Sequence, residues 1–195
     1  MSDRDASFPR LVSLAAHDLR TPLATIHGFA QTLIRMGDLG EPKQRYVDMI
    51  GQASRQLAEL LDELGLATRI ESGRYEPNLQ PMDTLALART TASELGEDRV
   101  TVSGTGGEIR VDVEATTRGV AALAQAALRH GGLESVEMRV DGPRIMVSPV
   151  TPSSAPVLLG EDLRDLGAAV AVLAIRAVGG TVEVDGDVLA VNLPE

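Results

Sequence analysis

Residues 15–33 read AAHDLRTPLATIHGFAQTL, and the placing of apolar residues in and around this stretch decides the fold. Val12, Ala15, Leu19, Pro22, Ile26, Phe29, Leu33 and Met36 follow one another at alternating spacings of three and four. That is a heptad seam, and it predicts one long helix. Ser7 and Pro9 supply start chemistry, while Gly37 and Gly40, with Pro42 at the next start, make a short connection. A second helix follows, with Val47, Ile50, Leu57, Leu61 and Leu64 at the same spacing, Ser54 interrupting, and Gly73 at the C′ position after RIES. Two helices with apolar stripes cannot bury both faces alone. Two copies of the hairpin joined as a four-helix bundle bury them, so a homodimer is expected.

Outward from the hairpin, RYEPNLQPMD at residues 74–83 carries two prolines and no periodicity, which reads as an extended linker. The expected organisation is a helical hairpin over residues 1–75, a linker over 76–82 and a second domain over 83–195. In that domain Asp83 is placed to cap a helix running to about Leu95, followed by strand-like RVTV and EIRVDV. A helix from about Ala115 to His130 comes next, then strands SVEMRV and RIMVS and a loop PVTPSSAP. An Ala-rich helix from about Glu161 to Val178 and a closing pair, GTVEVDG and DVLAVNL, complete the pattern. The fold class is therefore α plus α/β: a helical hairpin forming a dimeric four-helix bundle, then a two-layer α/β sandwich.

Composition excludes several functions. The chain has 195 residues, 44% of them hydrophobic, enough for real cores but with only 2% aromatics and no Trp. A net charge of −10 repels a phosphate backbone, so nucleic-acid binding is not expected. Cysteine is absent, which removes disulfides, thiolate metal sites and cysteine nucleophiles. No apolar run approaches the roughly 20 residues needed to span a bilayer, and the charged start MSDRDASFPR lacks an apolar leader core. The expectation is a cytoplasmic protein without a membrane segment.

On the heptad, His17 lies opposite the seam and projects outward; Thr21 falls one turn later on the same face, with Asp18 beside it. Pro22 in mid-helix removes a backbone hydrogen bond and costs about 3 kcal/mol, which points to a kink with a purpose. His27, at another outward position, reads as a solvated polar residue. The string HDLRTPL at residues 17–23, with the hairpin and the helix end ATRIESG, resembles the H-box hairpin of sensor histidine kinases. An imidazole is neutral and nucleophilic near pH 7, and Asp18 can hold its Nδ1–H so that Nε2 attacks phosphorus. The resemblance implies that His17 is the phosphoacceptor, Asp18 the general base and Thr21 the residue that places a hydrolytic water. Arg20 and Pro22 are read as structural before chemical. Receiver domains are the implied partners, docking over Arg20, Thr21, Ala24 and Gly28, where small residues allow close approach.

The second domain resembles the ATP-binding domain that follows the H-box in these kinases, most clearly at its end, AVLAIRAVGGTVEVDGDVLAVNLP. Its sites depart from the family. The helix that offers asparagines to Mg²⁺ and triphosphate reads RGVAALAQAALRHGG, with Ala122 and Ala126 at the aligned positions. PVTPSSAP replaces the adenine-reading aspartate and its glycines, and GEDLRDLGAAVAVL leaves Gly167 alone as an echo of the second glycine-rich loop. Gln125 and Asp112 read as a helix-surface residue and a strand-end acid, and His130 as a helix-end histidine favoured by the macrodipole. The expectation is a histidine phosphotransferase without autokinase activity, passing a phosphoryl group between receiver aspartates through His17. It binds no cofactor or metal itself; Mg²⁺ is expected on the partner receiver. The alternatives are a soluble kinase with a divergent ATP site, a non-catalytic scaffold, and a phosphatase resting on Thr21.

Overall fold

The computed structural model describes residues 3–37 and 40–195; within them, the side chains of residues 3–11, 13–15, 17, 18 and 42 lie outside the description. The chain divides into two units, Met1–Arg74 and Tyr75–Glu195.

The first unit is an antiparallel pair, α1 (Asp3–Met36) and α2 (Gly40–Glu71). α1 starts upstream of Ser7 and Pro9, so neither opens it, and it runs through Pro22 without a break in the helix. At the far end of α2, Gly73 takes φ +66°, its N–H donates to the Ile70 carbonyl, and the Arg74 N–H reaches back to the Arg69 carbonyl. This left-handed cap satisfies the last carbonyls, as the glycine at C′ predicted.

The surface that joins the helices is not the expected seam. On α1 it consists of Ala16, Leu23 and Ala30, all buried, with His27 and Ile34 half-buried. On α2 it is Val47, Gly51, Ser54, Gly65 and Thr68, with Ala58 and Leu61 half-buried. Both rows alternate four and three, but that of α1 is displaced by one residue from the apolar seam, a turn of about 100° round the helix. Small side chains explain the choice, because they let two backbones approach closely. The hydroxyls in the row are satisfied locally: Ser54 donates to the Ile50 carbonyl at 2.8 Å and Thr68 to that of Gly65 at 2.9 Å. Ser54 therefore belongs to the packing row and does not interrupt it. Leu19, Ile26, Phe29, Leu33 and Met36 are left exposed, as are Ile50, Leu57 and Leu60 of α2.

The second unit begins earlier than its first helix. β1 (Leu79–Asp83) pairs antiparallel with β3 (Glu108–Asp112), so the stretch expected to be linker is largely a strand, and Pro81 stands on the edge of a two-stranded ribbon. β2 (Val100–Gly106), β4 (Val136–Gly142), β5 (Arg144–Ser148), β6 (Thr181–Asp185) and β7 (Val188–Asn192) form a five-stranded sheet in the order β2-β4-β5-β7-β6. Only β2 and β4 among these neighbours run parallel. α3 (Thr84–Leu95), α4 (Val113–Gly131) and α6 (Leu166–Ala177) supply the second layer, with a short α5 (Ala155–Leu158) between β5 and α6.

Sheet residues such as Met138, Ile145, Val147 and Leu189 meet Leu87, Val120, Leu123 and Ile175 of the helices in one core. Each cap has a cause. Asp83 accepts from the Ala86 N–H at 2.8 Å and Asp112 from that of Ala115 at 3.2 Å. α6 starts five residues later than expected, because Asp165 takes the cap and accepts from the Ala168 N–H at 3.1 Å. Gly119 of α4 lies against Ala171 of α6, where an added Cβ would meet the alanine at 3.6 Å, so these helices pack through small residues.

Candidate functional site

Positions 17, 21, 24 and 28 are spaced by four, three and four residues along unbroken α1 and therefore share one face. His17 and Asp18 belong to this helix, but their side chains lie outside the described residues. One turn beyond position 17, Thr21 is exposed, and Arg20, Thr21, Ala24 and Thr25 line a shallow concavity. Gly28 continues the face with open space where a Cβ would stand. The Thr25 hydroxyl donates to the Thr21 carbonyl at 3.1 Å, one turn along the Pro22 segment. Arg20 is not free in solvent: it bonds Asp62 of α2 at 2.9 Å, both side chains about half exposed. Such a pair is worth at most about 1 kcal/mol, yet it fixes a guanidinium at the rim of the concavity.

His27 corrects the sequence reading. It sits in the α1 row facing α2, and its Nδ1 is buried without a hydrogen-bond partner among the described residues. The signal was present in the sequence: His27 stands between Leu23 and Ala30 at spacings of four and three, the row that the small residues of α2 select.

In the second unit, Ala122 is half-buried and Ala126 fully buried in α4, so neither offers a polar atom where the resemblance expected an asparagine. Gln125 is exposed. Asp112 is structural: its carboxylate accepts from the Tyr75 hydroxyl at 2.9 Å and the Asn78 N–H at 3.2 Å as well as capping α4. In PVTPSSAP the Thr151 N–H donates to Ser154 Oγ at 3.1 Å, and Ser153 Oγ donates to the His130 carbonyl at 2.9 Å. The loop thus satisfies its polar groups internally and against α4. His130 does more than answer the helix dipole, since its Nε2 lies 2.9 Å from Asp165 Oδ2, which also accepts from Arg129 at 3.1 Å. Burial raises the Asp165 pKa, but hydrogen bonds from His130 and Ala168 and the charges of Arg129 and His130 outweigh it and hold the carboxyl below its ordinary value. Among the described residues no group of three or more His, Asp or Glu side chains is arranged to hold a metal, and no helix is long and apolar enough to cross a membrane.

Residues 10–73 match the model of the His Kinase A (phospho-acceptor) domain. The chain is 31% identical over 147 residues, 68% of its length, to an uncharacterized sensor-like histidine kinase of Rhizobium meliloti (strain 1021), of which it spans 28%. It is 30% identical over 95 residues, 48% of its length, to the circadian input-output histidine kinase CikA of Synechococcus elongatus, of which it spans 13%. Among solved structures, full-length ShkA in complex with AMPPNP gives a TM-score of 0.69 at 21% identity, covering 95% of this chain and 46% of that one. The Acinetobacter baumannii histidine kinase AdeS gives 0.58 at 18% identity, covering 91% of this chain and 97% of that one. These two likenesses establish the fold. Residues 10–73 thus belong to the His Kinase A phospho-acceptor family, and the unit that follows has the fold of a histidine-kinase catalytic domain.

Proposed function

We propose that the protein is a histidine phosphotransferase of a two-component phosphorelay, with His17 as the group that carries the phosphoryl between receiver aspartates. In the first step a lone pair on His17 Nε2 forms an N–P bond while the P–O bond of the aspartyl phosphate breaks, the electron pair leaving with the carboxylate. Asp18 takes up the Nδ1 proton. The second step reverses the first on another receiver. The Mg²⁺ that neutralises the transferring oxygens belongs to the receiver, and this chain contributes the nucleophile and its positioning. The receiver docks on the face of Arg20, Thr21, Ala24 and Gly28, whose small side chains and open concavity admit a partner helix. The homodimer is supported by the exposed seam of Leu19, Ile26, Phe29, Leu33 and Met36.

One observation supports the reading that the protein lacks autokinase activity. Ala126 is 1% exposed within the core of α4, so a position aligned to a metal- and phosphate-binding asparagine is part of the packing instead. A soluble kinase is the second reading, favoured by the names of the curated relatives and by the AMPPNP complex of ShkA. The test is transfer from a receiver labelled on its aspartate. Label is expected on the wild type and absent from His17→Ala with its oligomeric state unchanged; undiminished labelling of that variant contradicts the proposal.

A further inference from the structure

Where α4 ends and α6 begins, one carboxylate is held from three directions. Asp165 Oδ1 accepts from the Ala168 N–H of α6 at 3.1 Å, and Oδ2 accepts from the Arg129 guanidinium at 3.1 Å and meets His130 Nε2 at 2.9 Å. The Asp165 side chain is only 9% exposed. The grip extends further: Ser153 Oγ donates to the His130 carbonyl at 2.9 Å, and Arg164 reaches the Ser153 carbonyl at 3.5 Å. An N-cap needs only the first of these contacts. A guanidinium and an imidazole brought from a different helix onto a largely enclosed oxyanion, together with the N–H groups of a helix start, are the donor set that proteins use for phosphate.

We propose that Asp165 is an internal anion that occupies an oxyanion position between Arg129, His130 and the start of α6, and thereby closes it to phosphate-bearing ligands. The proposal rests on the reading that this unit makes no productive use of nucleotide, and it supplies a cause for that. A tethered carboxylate competes at an effective concentration that a free ligand does not reach. A phosphate brought close to it is repelled by its charge. Lost glycines alone leave a helix start empty; here the start is filled.

The test is the melting temperature of the full chain with and without sodium pyrophosphate at matched ionic strength. Asp165→Ser keeps a capping oxygen for α6 but vacates the space between Arg129 and His130, while Asp165→Asn keeps that space filled. The wild type and the Asn variant are expected to show no response to pyrophosphate. The Ser variant is expected to melt lower and to recover by about 2 °C or more with pyrophosphate, and to lose that recovery when Arg129→Ala is added. A Ser variant that gains nothing overturns the proposal, as does a wild type that gains as much. A wild type that is itself stabilised by pyrophosphate overturns the proposal even where the Ser variant folds poorly. The relay reading fails separately, since it is read by label on His17 and this contact by melting temperature.

Discussion

Thr91 is fully buried in α3, and its hydroxyl has no hydrogen-bond partner among the described residues. Thr91→Val keeps the shape and removes an unpaired polar group, so it is expected to raise the stability of the α/β unit by about 1 kcal/mol. A thermal melt checks this, and a lowered transition would show that the hydroxyl is bonded after all. Asp165, half-buried, meets the opposite condition, with both carboxylate oxygens partnered. Its folded pKa lies below the ordinary 3.8, so its stabilising contribution is complete above that value and is lost as pH falls through the lowered one. The gap in melting temperature between the wild type and Asp165→Asn should therefore be present above about pH 4 and shrink on acidification below it; a gap constant into strong acid would contradict this. Asp83 and Gly73 were legible as caps because each acts through its own neighbours in sequence. The Asp165 contact was not, because Arg129 and His130 reach it across more than thirty residues of chain.

For whole elements, periodicity located both helices of the hairpin but did not show the row through which they meet. Hydropathy marks where large apolar residues lie, and it is blind to Gly51, Ser54, Ala58 and Gly65, whose value lies in being small. The large residues passed over in this way have a consequence. Phe29 is 67% exposed in the single chain, and with Ile26 and Leu33 it forms the stripe proposed to face a second copy. Phe29→Glu should shift the protein from dimer to monomer in light scattering while leaving its helix content unchanged, since Phe29 takes no part in the α1–α2 row. An unchanged dimer would move the interface elsewhere. In the second unit, alternation placed the sheet strands and the capping aspartates placed the helices. The β1–β3 ribbon escaped notice because two prolines in EPNLQP look like linker chemistry, and an edge strand tolerates Pro81.

Taken whole, the chain pairs a phospho-acceptor hairpin with a unit that has the fold of a catalytic domain, and we propose that the positions expected to hold ligand-binding residues in that unit are filled. The hairpin's family was legible because HDLRTPL is a contiguous string. For the second unit the sequence offered only an expectation of missing ligand residues, and the structure places Ala126 in the core, hydroxyls closing the PVTPSSAP loop and Asp165 at the start of α6. The most direct test offers the purified full chain label from two sources, MgATP alone and a receiver already phosphorylated on its aspartate. The account predicts label on His17 from the receiver and none from ATP. Label on His17 from ATP alone would make this protein a kinase and contradict the account at its centre.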